Sequence, residues 1–199
     1  MPLRITIADY GVGNLHSVRK ALENCGATAV VVSDMRRLLE AECIVLPGVG
    51  AFDKAMELLE PVRDELVERL DDAVPCLGIC IGSQILFDSS EEGKKKGLGF
   101  YSGKVERLRA KRVPHMGWNS VVSEDPIFEG VGSPYFYFAH SYHGAPSEDI
   151  TIGTTDYHGE FPSAFLKGNT YGTQFHPEKS SASGMTFLRN FVRFAEEMA

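Results

Sequence analysis

The chain has 199 residues, 43% hydrophobic and 24% charged, with 12 Phe, 7 Tyr and 1 Trp. That is the make-up of one globular domain, and a chain of this length buries roughly 70% of its unfolded surface and sustains a core without disulfides or metals. Acidic residues outnumber basic ones by 27 to 20, a net charge of -7, so no nucleic-acid partner is expected. No run reaches the roughly 18 apolar residues of a membrane span. Arg4 and Asp9 interrupt the stretch that a secretory leader would keep apolar, so a cytoplasmic chain without membrane attachment is expected.

Residues 3–9 alternate, with β-branched content, and predict a strand. Leu15, Val18, Leu22 and Cys25 then recur at helical spacing. Residues 27–33 and 41–47 predict two more strands, the second a continuous apolar run of the kind covered on both sheet faces. Ala51–Leu70 divides into two short helices, one burying Phe52, Ala55, Met56 and Leu59, the other Val62, Leu66 and Leu70, with Pro61 suited to a first turn. Residues 75–80 return as a strand and 81–88 predict a helix. The charged, glycine-bearing stretch 91–103 predicts a surface loop, with Lys94, Lys95 and Lys96 beside Glu91 and Glu92 as a solvated segment.

From 135 onward the pattern changes. Residues 135–142, 149–156, 161–168 and 169–175 predict strands joined by turns, hence hairpins. A closing helix sets Leu188, Phe191, Val192 and Ala195 on one face, with Arg189 and Arg193 outside. The expected fold is α/β: an open, mostly parallel sheet flanked by helices, with antiparallel strands in the C-terminal half, in a single domain over 1–199.

Cysteines at 25, 43, 76 and 80 have neither the pairing of a disulfide framework nor zinc spacing. Cys25, Cys43 and Cys76 lie in apolar patterns and are expected in the core. Cys80 differs, because Gly78-Ile79-Cys80-Ile81-Gly82 follows a strand and opens a helix. It is the cysteine version of the G-x-S-x-G elbow, in which small flanking residues allow a sharp turn that lifts the nucleophile clear of the sheet. Alone, it also fits a buried cysteine between glycines.

A thiolate needs a base, and His176 follows a strand within Gln174-Phe175-His176-Pro177-Glu178. Glu178 can accept the second imidazole N–H and fix the tautomer. Taken singly, H-P-E also fits a surface turn. Pro47-Gly48-Val49-Gly50 ends a strand with a glycine-rich turn whose amides at Val49 and Gly50 can face an oxyanion, together with the amide of Ile81; a plain strand-to-helix turn is the alternative. Gly11-Val12-Gly13 lacks the third glycine of a dinucleotide fingerprint, since position 16 is His16. His140 and His143 have no third ligand nearby. Neither a cofactor nor a metal is expected.

Taken together, these residues resemble the class I, triad-type glutamine amidotransferases over nearly the whole chain, with Cys80, His176 and Glu178 matching the catalytic Cys, His and Glu. The resemblance implies a flavodoxin-like sheet centred on the elbow, and hydrolysis of L-glutamine to glutamate and ammonia through a thioester on Cys80. DYGVGNLHSV (9–18), PGVGAF (47–52), PHMGWN (114–119) and FAHSYH (138–143) are similar to the glutaminases of histidine biosynthesis. These pass ammonia to a (β/α)8-barrel cyclase subunit that forms imidazole glycerol phosphate and aminoimidazole carboxamide ribotide. By the same resemblance, Gly48, Gln84, Ser141 and Tyr142 would hold the substrate. Asn14, Met116, Trp118, Tyr137 and Lys179 would face the cyclase, with Met116 and Trp118 on a loop; a core tryptophan is the other reading of Trp118. The sequence departs from the usual pattern at Ile81, Ser83 and His143. A glutaminase of another pathway, a non-catalytic interaction module and a cysteine hydrolase remain open.

Overall fold

The computed structural model describes residues 1–11, 15–48 and 50–198. β1 (Arg4–Ala8), α1 (Leu15–Asn24), β2 (Thr28–Val32) and β3 (Cys43–Leu46) open the chain. α2 (Phe52–Leu59) and α3 (Arg63–Asp71) follow, joined by a 3-10 turn over Glu60–Val62 that carries Pro61 in its first positions. There the missing proline N–H leaves no helix bond unmade. β4 (Cys76–Ile79) runs into α4 (Ile81–Gln84), and β5 (Phe87–Ser90), β6 (Tyr101–Arg107), β7 (His115–Ser120), β8 (Tyr135–His140) and β9 (Tyr142–Pro146) come next. β10 (Thr151–Asp156), β11 (Glu160–Lys167), β12 (Thr170–Thr173) and α5 (Ser181–Met198) complete the order.

A seven-stranded sheet runs in the order β10-β11-β12-β4-β3-β1-β2. The pairs from β12 to β2 are parallel, whereas β10-β11 and β11-β12 are antiparallel. β3 and β4 are buried along their whole length, which is why their sequences read as unbroken apolar runs. On one face, Phe187, Leu188, Phe191 and Val192 of α5 join Val18 and Leu22 of α1 over Ile5, Leu77 and Ile79. On the other, Phe52, Met56, Leu59 and Leu66 pack over Ile44, Leu46 and Cys76. Each such fully buried side chain stabilises the fold by about 1.5–3 kcal/mol relative to exposure. Among the described residues no helix is long and apolar enough to cross a membrane.

Four local expectations differ from the structure. The helix expected over 81–88 ends at Gln84, and 87–90 is a strand paired with β6. Phe87 is drawn into a ring cluster with Tyr101 and Phe165, both at 5.3 Å, and this packing outweighs local helical pattern. Residues 101–103, expected in a loop, begin β6. Met116 and Trp118, expected on a loop, lie in β7, which forms a two-stranded sheet with β8 in which Trp118 pairs with Tyr137. The single strand expected over 135–142 is two, broken at Ser141.

Candidate active site

The chain turns from β4 into α4 at Cys80, whose φ of 48° and ψ of -107° lie where non-glycine residues are strained. Two glycines make the turn possible. A Cβ on Gly78 would stand 2.6 Å from the Gly82 carbonyl oxygen, and one on Gly82 would run into the backbone of Leu46. The Cys80 N–H donates to the Thr173 carbonyl at 2.6 Å, tying the elbow to the end of β12.

Three residues beyond Thr173, His176 reaches the same point from the neighbouring strand. Its Nδ1 lies 2.9 Å from Glu178 Oε1, on the 3-10 turn Pro177–Lys179, and both side chains are buried. The His176 N–H donates to the Tyr137 carbonyl at 2.9 Å. The Ser180 hydroxyl donates to the His176 carbonyl and accepts the Tyr137 N–H. Convergence of nucleophile and base is read at Gly48, where an added Cβ would lie 2.8 Å from His176 Cε1 and 3.0 Å from Cys80 Cβ. Burial pulls the His176 imidazolium down, but the charge of the Cys80 thiolate, its hydrogen bond and the Glu178 carboxylate outweigh it and push the imidazole up to about 10. At neutral pH the imidazole therefore holds its second proton.

Cys80 opens onto a cleft of about 350 Å³ that Gly48, Gly50, Ile81, Gln84, Ser141 and Tyr142 help to line. Gly50 holds φ at 99°, a left-handed conformation that favours glycine. Val49 and Asn14 lie outside the described residues. Met116 reaches the cleft mouth and is 65% exposed, and Trp118 is 52% exposed with its ring edge-on to Tyr137 at 6.2 Å. The core reading of Trp118 is thereby excluded. Lys179 is exposed beside Glu178. Tyr137, Trp118 and Lys179 do not line the cleft, and Ser83 turns away from it toward Gly172 of β12.

The sequence reading passed over several residues. Gln174 is buried, with its Nε2 3.5 Å from Cys80 Sγ; its only signal was a spacing of two from His176. Glu92, read as a solvated loop residue, lines the cleft and accepts the Phe52 N–H, and burial pushes its carboxyl up. His140 lines the cleft as well.

An α/β sheet that brings a cysteine elbow, a histidine and a glutamate together beside a cleft has the arrangement of a triad-type, thiol-dependent hydrolytic site. The glutamine amidotransferase class-I family matches residues 6–194, and the chain belongs to that family. Among its relatives, the imidazole glycerol phosphate synthase subunit HisH of Thermococcus kodakarensis is 48% identical over 198 residues, covering 95% of this chain and 99% of its own length. The subunit of the same name from Methanocaldococcus jannaschii is 48% identical, covering 94% and 98%. That of Pyrococcus furiosus is 47% identical, covering 96% and 98%. A solved glutamine amidotransferase shares the fold with a TM-score of 0.78 at 19% identity, covering 96% of this chain and 98% of that one. PurLQS from Thermotoga maritima does so with a TM-score of 0.71 at 18% identity, covering 100% and 99%.

Proposed function

We propose that this chain hydrolyses L-glutamine as the glutaminase subunit of an imidazole glycerol phosphate synthase, a single amidotransferase domain over 1–199 that works in the cytoplasm. The observation that carries the reading is the meeting of Cys80 and His176 at Gly48, with Glu178 on the far nitrogen of the imidazole, beside a cleft of about 350 Å³ lined by Gly48 and Cys80. High identity over nearly the full length of the HisH relatives supports the pathway.

The Cys80 thiolate attacks the carboxamide carbon of glutamine, and the oxyanion is met by the amides of Ile81 and of the turn at Val49 and Gly50. Ile81 opens α4, so its N–H has no partner within the helix. The C–N bond breaks as His176 gives its proton to the leaving nitrogen, releasing ammonia and leaving a glutamyl thioester. His176 then takes a proton from water, whose oxygen attacks the thioester carbon, and glutamate leaves as the thiolate re-forms. Glu178 holds the imidazole in the required tautomer throughout. Gly48, Gln84, Ser141 and Tyr142 hold the substrate, and the Glu92 carboxylate suits its ammonium group.

Ammonia passes to a (β/α)8-barrel cyclase subunit, which docks against Asn14, Met116, Trp118, Tyr137 and Lys179. The cyclase closes the ring of imidazole glycerol phosphate and releases aminoimidazole carboxamide ribotide. The free glutaminase is weak until the cyclase and its ligand bind and bring an oxyanion donor amide to face the substrate. The test is glutamate release from glutamine by the chain alone, with the cyclase, and with the cyclase plus its nucleotide ligand. A large rise in the third mixture is expected. Activity indifferent to the cyclase would move the protein to another pathway, and no activity in any mixture would overturn the glutaminase reading.

A further inference from the structure

A second buried cluster lies outside the triad, at the base of the β7-β8 hairpin. His140 Nδ1 is 2.8 Å from the Tyr142 carbonyl oxygen, and its Nε2 is 3.1 Å from His115 Nδ1. His115 Nε2 is 3.3 Å from Asn119 Nδ2, which also donates to the Asp156 carbonyl at 2.8 Å. The proton positions follow from chemistry. A carbonyl oxygen only accepts, so His140 carries its proton on Nδ1, its Nε2 accepts, and His115 must donate from Nδ1 and accept at Nε2. The far end agrees independently, because the Ser120 N–H donates to Asn119 Oδ1 and so fixes the amide with its nitrogen toward His115. Both rings are buried, and burial pulls His115 down to about 4 and His140 to about 3, so both are neutral at pH 7. His115 is held between Phe138 at 4.7 Å and Tyr157 at 3.9 Å.

The chain ends on a carbonyl that matters to the cleft. Gln84 Nε2 donates to the same Tyr142 oxygen at 2.9 Å and to Gln174 Oε1 at 2.9 Å. Both amide protons of Gln84 are thereby used, which leaves its Oε1 buried without a partner among the described residues at the cleft wall. A buried acceptor without a partner is costly until a ligand donor meets it. Tyr142 begins β9 at the strand break beside Ser141, and both line the cleft.

We infer that His115 and His140 are positioning residues for substrate binding: a one-way hydrogen-bond chain from Asn119 through His115 and His140 to the Tyr142 carbonyl sets the strand break and the orientation of Gln84. The inference rests on the proposed glutaminase activity. Because Asn119 follows Trp118 on β7, the same chain joins the exposed hairpin to the substrate wall.

The experiment has two readouts. Long-range 15N–1H NMR of the full chain with labelled histidine at pH 7 should show both rings neutral with the proton on Nδ1, the less common tautomer of free histidine. Asn119→Asp replaces the donor to His115 by an acceptor at constant size, and should move the His115 proton to Nε2. Measured with saturating cyclase and its ligand, Asn119→Asp should raise the KM for glutamine about tenfold, the loss of one buried hydrogen bond, with kcat within about twofold. His115→Phe keeps the ring stack and should give the same split; if it fails to fold, Asn119→Asp decides alone. Nε2–H tautomers in the wild type, an unmoved KM in Asn119→Asp, or a fall in kcat at constant KM would overturn the positioning role. Absence of any glutamate release by the wild type would instead overturn the glutaminase reading, while the tautomers still report on the chain.

Discussion

Ser180 holds His176 in place through the backbone: its hydroxyl donates to the His176 carbonyl at 2.6 Å while accepting the Tyr137 N–H at 2.9 Å. Ser180 is fully buried, so removing the hydroxyl takes the acceptor from the Tyr137 N–H, while the His176 carbonyl keeps the Lys179 N–H at 3.0 Å. Ser180→Ala should lower stability by about 2 kcal/mol in denaturant unfolding. Glutamine turnover should fall as well, because the loop that aims the imidazole keeps only the His176 N–H bond to the Tyr137 carbonyl as its tie to that residue of β8.

At Gly48 a single methyl group would meet His176 and Cys80 at once, 2.8 Å from the first and 3.0 Å from the second. Gly48→Ala is expected to reduce kcat by about a hundredfold, since misplacement of reacting groups by about 1 Å costs that much. Steady-state glutaminase assays with the cyclase present check it, and turnover near the wild-type level would show that the pair does not act from this geometry.

Cys80→Ala should abolish glutamate release and leave the thermal midpoint within a few degrees of the wild type. The side chain removed is small, while the backbone strain at φ 48° remains. Mass spectrometry of the wild type with a glutamine-analogue label should place the adduct on Cys80 and find none on the variant.

The raised imidazole gives stability a definite pH slope. A group whose folded pKa exceeds its unfolded value adds stability that is complete below the unfolded pKa, about 6.5 for histidine, and lost as pH rises through the folded value. For His176 that loss runs from about pH 6.5 up to about 10. Unfolding free energy measured across that window should decline in the wild type and flatten in Glu178→Gln and Cys80→Ala, each of which removes a group that favours the imidazolium.

Trp118 is half exposed, with its ring edge-on to Tyr137. Trp118→Ala should change the stability of the free chain by no more than about 0.5 kcal/mol. It should weaken cyclase binding by about 2 kcal/mol or more, as expected of a central aromatic anchor. Calorimetric titration of the cyclase separates the two effects.

The triad was legible because its parts sit on local signals: Cys80 between glycines at a strand end, His176 and Glu178 two residues apart. The parallel half of the sheet was legible because β3 and β4 are apolar on both faces. β5 was not, since Phe87 becomes a strand residue through rings far away in the chain, Tyr101 and Phe165. β7 was not legible, since Met116 and Trp118 were expected on a loop; Gly117 between them sits at φ 123° inside a strand that pairing with β8 defines. Gln174 and Glu92 went unread because nothing in their neighbours shows what a buried amide or carboxylate will face. Their roles come from tertiary meetings with Cys80, Gln84 and Phe52.

The placement of β12 against β4 also bears on how the protein is made. Ile79 pairs with Thr173, and Cys80 lies 94 residues from Gln174, so the elbow acquires its second wall only when the last strand threads between β4 and β11. Pairings this distant in sequence form late. A nascent chain leaving the ribosome therefore carries Cys80 without His176 beside it until some 96 further residues have followed. Under the proposed reaction, no ammonia is released until His176 and Glu178 have been made and β12 has paired.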